Sequence, residues 1–344
     1  MEQKYGLTEG KMKINATVLG DGAWGTAIAL LLHLNGHKVS LWGAFPENIC
    51  EIRKTRENSR FLPGIRIPEE IGLFEDGNEA IKKSELVVLA IPSQFLRSVL
   101  RNLNVELFKD KMILNLAKGI ENNTLKRVSE VFSEEVKKSK AYAVLSGPSH
   151  AEEVSVNQPT AVVVASKSKE YAILIQKIFM NKNFRVYTSN DVIGVELGGA
   201  LKNIYAIAAG ISDGMKLGDN AKAALITRAI AELARLGKIL GGKQETFSGL
   251  SGTGDIIVTC MSKHSRNRFV GEELGKGRKL NDILASMGNV VAEGVKTTNS
   301  AFNLAKKYNV DTPIINEVYS GLYDNKDPRS CLIDLMTRKA KSEF

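Results

Sequence analysis

The chain has 344 residues, of which 43% are hydrophobic and 25% charged, and its formal net charge is +9. That balance excludes a disordered or collagen-like chain and fits a globular protein of roughly two domains, each able to bury its own core. Lys and Arg are scattered rather than gathered into an arm, so the basic excess reads as a surface that handles anionic small molecules and not nucleic acid. The opening "MEQKYGLTEGKMKIN" has no apolar run long enough for a signal peptide. Residues 1–12 read as a polar extension, with Met12 an alternative start. Cys50, Cys260 and Cys331 lie far apart with no C-x-x-C spacing, which points to a reducing, cytoplasmic setting without structural zinc. His33 and His37 are four apart, but Gly36 ends the predicted helix between them, so no metal site is expected.

From residue 13 the elements come in a recognisable order. "ATVLG" reads as a buried strand, "AWGTAIALLLHLNG" as a helix with Gly36 just past its end, and "HKVSLW" as the next strand. Between the first strand and the helix, Gly20, Gly22 and Gly25 fit G-x-G-x-x-G. The pattern alone is weak, but a preceding strand and a following helix are the context in which it binds a dinucleotide. Gly20 permits the turn, Gly22 lets a pyrophosphate approach the backbone, and Gly25 lets helix and strand pack closely. The free N–H groups at the helix start face the phosphates.

Strand-like runs continue with "ELVVLAIP", "KMILNLA", "YAVLSG", "TAVVVAS" and "FRVYTS", separated by helical stretches such as "SQFLRSVLRNL", "LKRVSEVFSEEV" and "EYAILIQKIFM". This alternation predicts an α/β fold, a doubly wound dinucleotide-binding (Rossmann) domain over residues 13–190 with a mainly parallel sheet. After Ser189 the strand signals nearly stop. Asn190 and Asp191 are cap-type residues, and residues 191–344 read as an all-helical substrate and catalytic domain. Its first helix, "VIGVELGGALKNIYAIAAGI", approaches membrane-span length. Glu196, Lys202 and Asn203 near its middle would be costly in lipid, so it reads as a buried helix and not a span.

Strand ends that face the cofactor carry the chemistry in such sheets. "NLAKG" puts Lys118 after one strand, and "LSGPSHAEE" puts Gly147 and Ser149 after another, ahead of a helix start. In isolation these are a solvated lysine and a capped turn. In the long helix, Gly198 and Gly199 each cost roughly 1 kcal/mol against Ala and ask for a close neighbour. Lys202 beside them is either a buried proton-transfer group or a lysine whose ammonium reaches water. "GLSGTGDIIVTC" brings a glycine loop to Asp255, and "SRNR" offers Ser265, Arg266 and Asn267, a donor set that can grip a phosphate or simply start a surface helix.

Taken together, "GDGAWGTA", "FLPG", "LAKGIE", "SGPSHAEE", "FRVYTSNDVIGVELGGALKNIYAIAAGISDG", "GLSGTGDIIVTC" and "SRNR" make the chain similar to the bacterial type of NAD(P)-dependent glycerol-3-phosphate dehydrogenase, from about Ile14 to Leu335. The resemblance implies interconversion of dihydroxyacetone phosphate and sn-glycerol 3-phosphate with NAD(H) or NADP(H), without a metal, in support of phospholipid synthesis. It implies Lys202 as proton donor and acceptor, with Lys118 and Asp255 beside it. It further implies a substrate site of Lys118, Gly147, Ser149, Lys202, Asp255, Ser265, Arg266 and Asn267. Cofactor contacts would fall on Ala23, Trp24, Lys118, Ala151, Arg266, Val291 and Glu293. At Ala44 family members commonly carry His or Arg; Trp42, Gly43 and Ala44 supply neither an acid for the ribose nor an Arg for a 2′-phosphate, so use of both cofactors is expected. A homodimer is the family expectation. The rival readings are a β-hydroxyacid dehydrogenase, against which "SRNR" speaks, and a non-catalytic dinucleotide sensor, against which Lys118, Lys202 and Asp255 speak.

Overall fold

The computed structural model describes residues 13–288 and 291–343, so the polar extension read at residues 1–12 lies outside the described residues. Eight strands build the main sheet: β1 (Asn15–Leu19), β2 (Lys38–Trp42), β3 (Gly72–Phe74), β4 (Leu86–Leu89), β5 (Met112–Asn115), β6 (Ala141–Ser146), β7 (Thr160–Ala165) and β8 (Phe184–Ser189). Their spatial order is β8-β7-β6-β5-β4-β1-β2-β3. Strands β1 to β6 pair in parallel; β7 runs antiparallel to β6 and carries β8 parallel to itself. Helices cover both faces, which is why the central strands are unbroken apolar runs rather than alternating ones. In β4, Leu86 and Val88 join the core on one face and Val87 and Leu89 the core on the other.

All seven strands legible in the sequence lie in this sheet. The eighth, β3, is three residues long and only half-buried, too short for a periodic signal. A small antiparallel hairpin, Glu57–Asn58 with Leu62–Arg66, was equally silent, because Pro63 and Gly64 interrupt its second strand.

Beyond Ser189 the described residues form helices only, packed around Val192–Gly214. Asp191 caps that helix, accepting from the Gly194 N–H at 2.9 Å, and its other oxygen accepts from the Lys243 N–H and the Thr246 hydroxyl. The helix is long and apolar enough to cross a membrane, yet 94% of its apolar window is buried inside the protein, so here it is a core helix. Glu196 within it is buried and answered on all sides. Arg127 Nη1 lies at 2.7 Å, and the Ser129 N–H, the Ser129 hydroxyl and the Tyr142 hydroxyl all donate to its carboxylate. These contacts tie the helix to the sheet-bearing half.

The same helix packs backbone to backbone against Arg266–Gly275. A Cβ on Gly271 would collide with the Ile207 carbonyl oxygen, and one on Gly210 with the Arg268 carbonyl oxygen. A comparable approach explains Gly198, where a Cβ would run into the Ser251 carbonyl oxygen. Gly271→Ala should therefore cost at least about 1–3 kcal/mol through overpacking. The expected result is a lower melting temperature. An unchanged melting curve would show slack in the seam and contradict this account.

Candidate active site

The chain leaves β1 through Gly20, whose φ of 120° suits glycine, and a Cβ there would press on the Ala90 carbonyl beyond β4. Gly25 packs its α-carbon face against the Gly20 carbonyl. Gly22, at the N-terminus of the Ala23–Leu34 helix, differs: φ is −62° and nothing lies within 4 Å of where a Cβ would stand. Two of the three glycines thus serve packing, and the middle one leaves space in front of helix N–H groups. That space belongs to a cleft of about 240 Å³, lined by Gly22, Ala23, Trp24 and Gly25 on this side. The cleft opens between β1 and β4, where the strand order reverses, the usual ligand position in an open α/β sheet. The buried Trp24 Nε1 has no hydrogen-bond partner among the described residues, an orphan donor that a bound cofactor can satisfy.

On the opposite wall three ionic side chains from three elements meet. Asp255, 1% exposed, begins the helix Asp255–Met261. Its Oδ2 accepts from Lys118 Nζ at 2.7 Å, and its Oδ1 lies 2.9 Å from Lys202 Nζ. Lys118 also donates to the Gly147 carbonyl at 3.2 Å, and Ser149 Oγ donates to the same carbonyl at 2.9 Å. Lys202 further donates to Thr259 Oγ1 at 2.7 Å; Thr259 in turn donates to the Asp255 carbonyl. Burial alone would raise the Asp255 pKa, but the two ammoniums hold it below the ordinary carboxylate value. Lys118 is shifted down, first by burial and further by Lys202, with Asp255 opposing.

Arg266 lines the cleft and makes no ion pair among the described residues. Burial lowers its pKa, while Glu152 and Glu293 act in the other direction. Its neighbours are engaged by the protein. Ser265 Oγ caps the helix by accepting from the Arg268 N–H at 3.1 Å. Asn267 clasps two elements, donating to Asn203 Oδ1 at 2.9 Å and accepting from the Gly294 N–H at 2.9 Å. Both still line the cleft, as do Ser149, Ala151, Val291 and Glu293. The Ser93 N–H donates to Glu293 Oε1 at 3.2 Å, and burial pushes the Glu293 carboxyl up to about 7. Ala44 stands apart, exposed beyond the end of β2.

The structure thus brings twelve of the expected positions to the cleft itself, namely Gly22, Ala23, Trp24, Gly25, Ser149, Ala151, Lys202, Ser265, Arg266, Asn267, Val291 and Glu293. Lys118, Gly147 and Asp255 form the layer that meets Lys202, and Gly20 packs behind the loop. Sequence reasoning missed Thr259, though its spacing of four from Asp255 on a helix puts the two on one face. It also missed the facing pair His150 and His264, whose ring centres are 5.8 Å apart in the cleft wall. No group of three or more His, Cys, Asp or Glu side chains suited to a metal occurs among the described residues.

A glycine-loop cleft in a doubly wound sheet, closed by a helical half whose buried Lys202 and Asp255 meet Lys118 from the sheet-bearing half, defines a two-domain dinucleotide-dependent oxidoreductase. Residues 15–172 match the model of the NAD-dependent glycerol-3-phosphate dehydrogenase N-terminus, and residues 191–333 that of its C-terminus. The chain belongs to the NAD-dependent glycerol-3-phosphate dehydrogenase family. It is 52% identical to a glycerol-3-phosphate dehydrogenase [NAD(P)+] of Geobacillus thermodenitrificans over 96% of both chains. It is 50% identical to one of Chlorobium phaeobacteroides, over 97% of this chain and 99% of that one. The crystal structure of glycerol-3-phosphate dehydrogenase from Coxiella burnetii superposes with a TM-score of 0.91 at 37% identity, covering 95% of this chain and 99% of that one.

The contrast among the glycines is testable. Gly22→Ala meets no protein atom, so its melting temperature should match the wild type. Its added methyl stands where a pyrophosphate would approach, so NADH affinity should fall at least about 10-fold, a loss of about 1.4 kcal/mol. Titration of intrinsic fluorescence with NADH reads this directly, and unaltered affinity removes Gly22 from the cofactor site.

Proposed function

We propose that the chain interconverts dihydroxyacetone phosphate and sn-glycerol 3-phosphate with NAD(H) or NADP(H), and so supplies glycerol 3-phosphate for phospholipid synthesis. Family membership supports the substrate. The observation that carries the chemistry is the Lys118–Asp255–Lys202 cluster, whose Lys202 lines the glycine-loop cleft. Residues 13–190 act as the dinucleotide-binding part and residues 191–344 as the catalytic part. Gly22, Ala23, Trp24 and Gly25 hold the cofactor with Ala151, Val291 and Glu293. When bound, its nicotinamide supplies or accepts the hydride at the substrate carbon.

The residues of the chain handle the charge and the proton. Lys202 donates a proton to the ketone oxygen as negative charge develops there, and takes it back in the reverse direction; general acid catalysis of this kind contributes about 10²–10⁴-fold. Asp255 aims both ammoniums, since each bonds a different carboxylate oxygen. Lys118 adds positive charge on the same side of the forming alkoxide. Arg266, without a carboxylate partner among the described residues, binds the phosphate with Ser265 and Asn267. The three cysteines are free thiols, which agrees with the reducing compartment expected, and we propose the cytoplasm. A homodimer is proposed on family grounds, with light scattering as its measure.

Loss of NADH absorbance on adding dihydroxyacetone phosphate tests the activity itself. Lys202→Met keeps the apolar stem and removes the donor, so kcat should fall at least about 10²-fold while NADH affinity holds. Retained turnover would hand the proton to Lys118 or water. Arg266→Ala should weaken dihydroxyacetone phosphate roughly 10- to 150-fold, the value of a charge-assisted bond of about 1.5–3 kcal/mol. Unphosphorylated dihydroxyacetone should lose much less, and equal losses for the two would assign Arg266 to the cofactor or the fold.

A further inference from the structure

In doubly wound folds the end of the second strand decides between the two nicotinamide cofactors. An acid there bonds the ribose hydroxyls of NAD, and an arginine accommodates the 2′-phosphate of NADP. Strand β2 ends at Trp42 and continues through Gly43, Ala44 and Phe45, which can do neither. The acid closest to this corner, Asp21, is 5% exposed and lies under Gly43, where a Cβ would strike its carboxylate. Asn48 Nδ2 donates to Asp21 Oδ2 at 2.6 Å. Asp21 is therefore buried beneath the corner with one carboxylate oxygen already bonded.

A cation reaches the same corner from a different element. Arg60, in the turn of the Glu57–Arg66 hairpin, has its guanidinium carbon 4.8 Å from the Phe45 ring centre and 5.1 Å from that of Phe61. The two rings hold the guanidinium by cation–π attraction. Among the described residues its guanidinium makes no hydrogen bond. The Glu47 carboxylate stands at 3.8 Å with 69% of its side chain exposed, and the buried Asp21 carboxylate lies near enough to feel the charge of Arg60. A planar, permanently charged fork of donors, fixed by two aromatic rings and lacking an acceptor, suits a phosphate dianion.

We propose that Arg60 binds the 2′-phosphate of NADP(H), filling from the hairpin the role that Ala44 leaves open after β2. The proposal rests on the dinucleotide reading of the glycine loop and makes this chain prefer the 2′-phosphorylated cofactor. Calorimetric titration of the wild type, Arg60→Gln and Arg60→Lys with adenosine 2′,5′-bisphosphate and with 5′-AMP separates the two claims. The wild type should bind the bisphosphate roughly 10- to 150-fold more tightly than 5′-AMP. Arg60→Gln should lose most of that preference, Arg60→Lys should keep part of it, and 5′-AMP should bind all three alike. The ratio of kcat/KM for NADPH over NADH should follow the same order. Should Arg60→Gln fail to fold, Glu47→Gln, which removes the competing carboxylate, should increase the preference. Equal binding of both nucleotides by the wild type, an undiminished preference in Arg60→Gln, or no gain in Glu47→Gln overturns the proposal. Failure of the wild type to bind either nucleotide overturns the dinucleotide reading instead, and Arg60 with it.

Discussion

One buried carboxylate organises the catalytic half of this protein. Asp255 is shared between Lys118, which follows a strand of the sheet, and Lys202, which sits midway along the core helix. Taking these charges out of water is expensive, and the pairs repay that cost only if the geometry is good and the remaining donors are bonded. Here they are: Thr259 Oγ1 accepts a hydrogen bond from Lys202, and the Gly147 carbonyl accepts one from Lys118. One carboxylate between two ammoniums leaves a surplus of positive charge. That surplus is what a carbonyl oxygen needs as it becomes an alkoxide.

Holding this cluster opposite a cofactor requires the helical half to sit close against the sheet, and small side chains make that possible. Gly198 lets the core helix touch the Ser251 backbone, just ahead of Asp255, so the same contact that demands a glycine also sets the distance between Lys202 and its carboxylate. Gly210 and Gly271 do the same for the helix that begins at Arg266. The tolerance for error is small because packed interiors transmit displacement rather than absorb it. The buried Glu196 network then fixes the rotation of the core helix relative to the strands.

What could be read from the sequence follows from what is local. The glycine loop is legible because strand, turn and helix are contiguous, and the sheet is legible because strands covered on both faces are unbroken apolar runs. Lys118, Lys202 and Asp255 could each be singled out, but Lys118 and Asp255 are 137 positions apart, so their bond is a tertiary fact that residue reading alone does not reach. Asn267 shows the opposite difficulty. Its place in "SRNR" suggests a ligand to the phosphate, and nothing in that local pattern shows that its amide also joins the core helix, through Asn203, to Gly294. Arg60 was invisible for a further reason: a hairpin interrupted by Pro63 and Gly64 gives no strand signal, so nothing placed that arginine beside the end of β2.

Both molecules proposed to enter the cleft are anions, and their mutual repulsion has to be met by the walls. Lys118, Lys202 and Arg266 face Asp255, Glu152 and Glu293, so with every group ionised the two signs would balance. Glu293 breaks the balance. Burial drives its carboxyl to about 7, opposed by the Ser93 N–H and then by the three cations, so near neutral pH its protonated and ionised forms coexist. An anion binding beside it stabilises the protonated form further, which by linkage means that protonation and anion binding favour each other. Filling the cleft with anions should therefore take up a proton at Glu293 near neutral pH, and emptying it should release one. That response depends on Glu293 being anchored by a backbone N–H from the sheet-bearing half, because a carboxylate free to swing into water would keep its ordinary pKa and hold the walls neutral throughout.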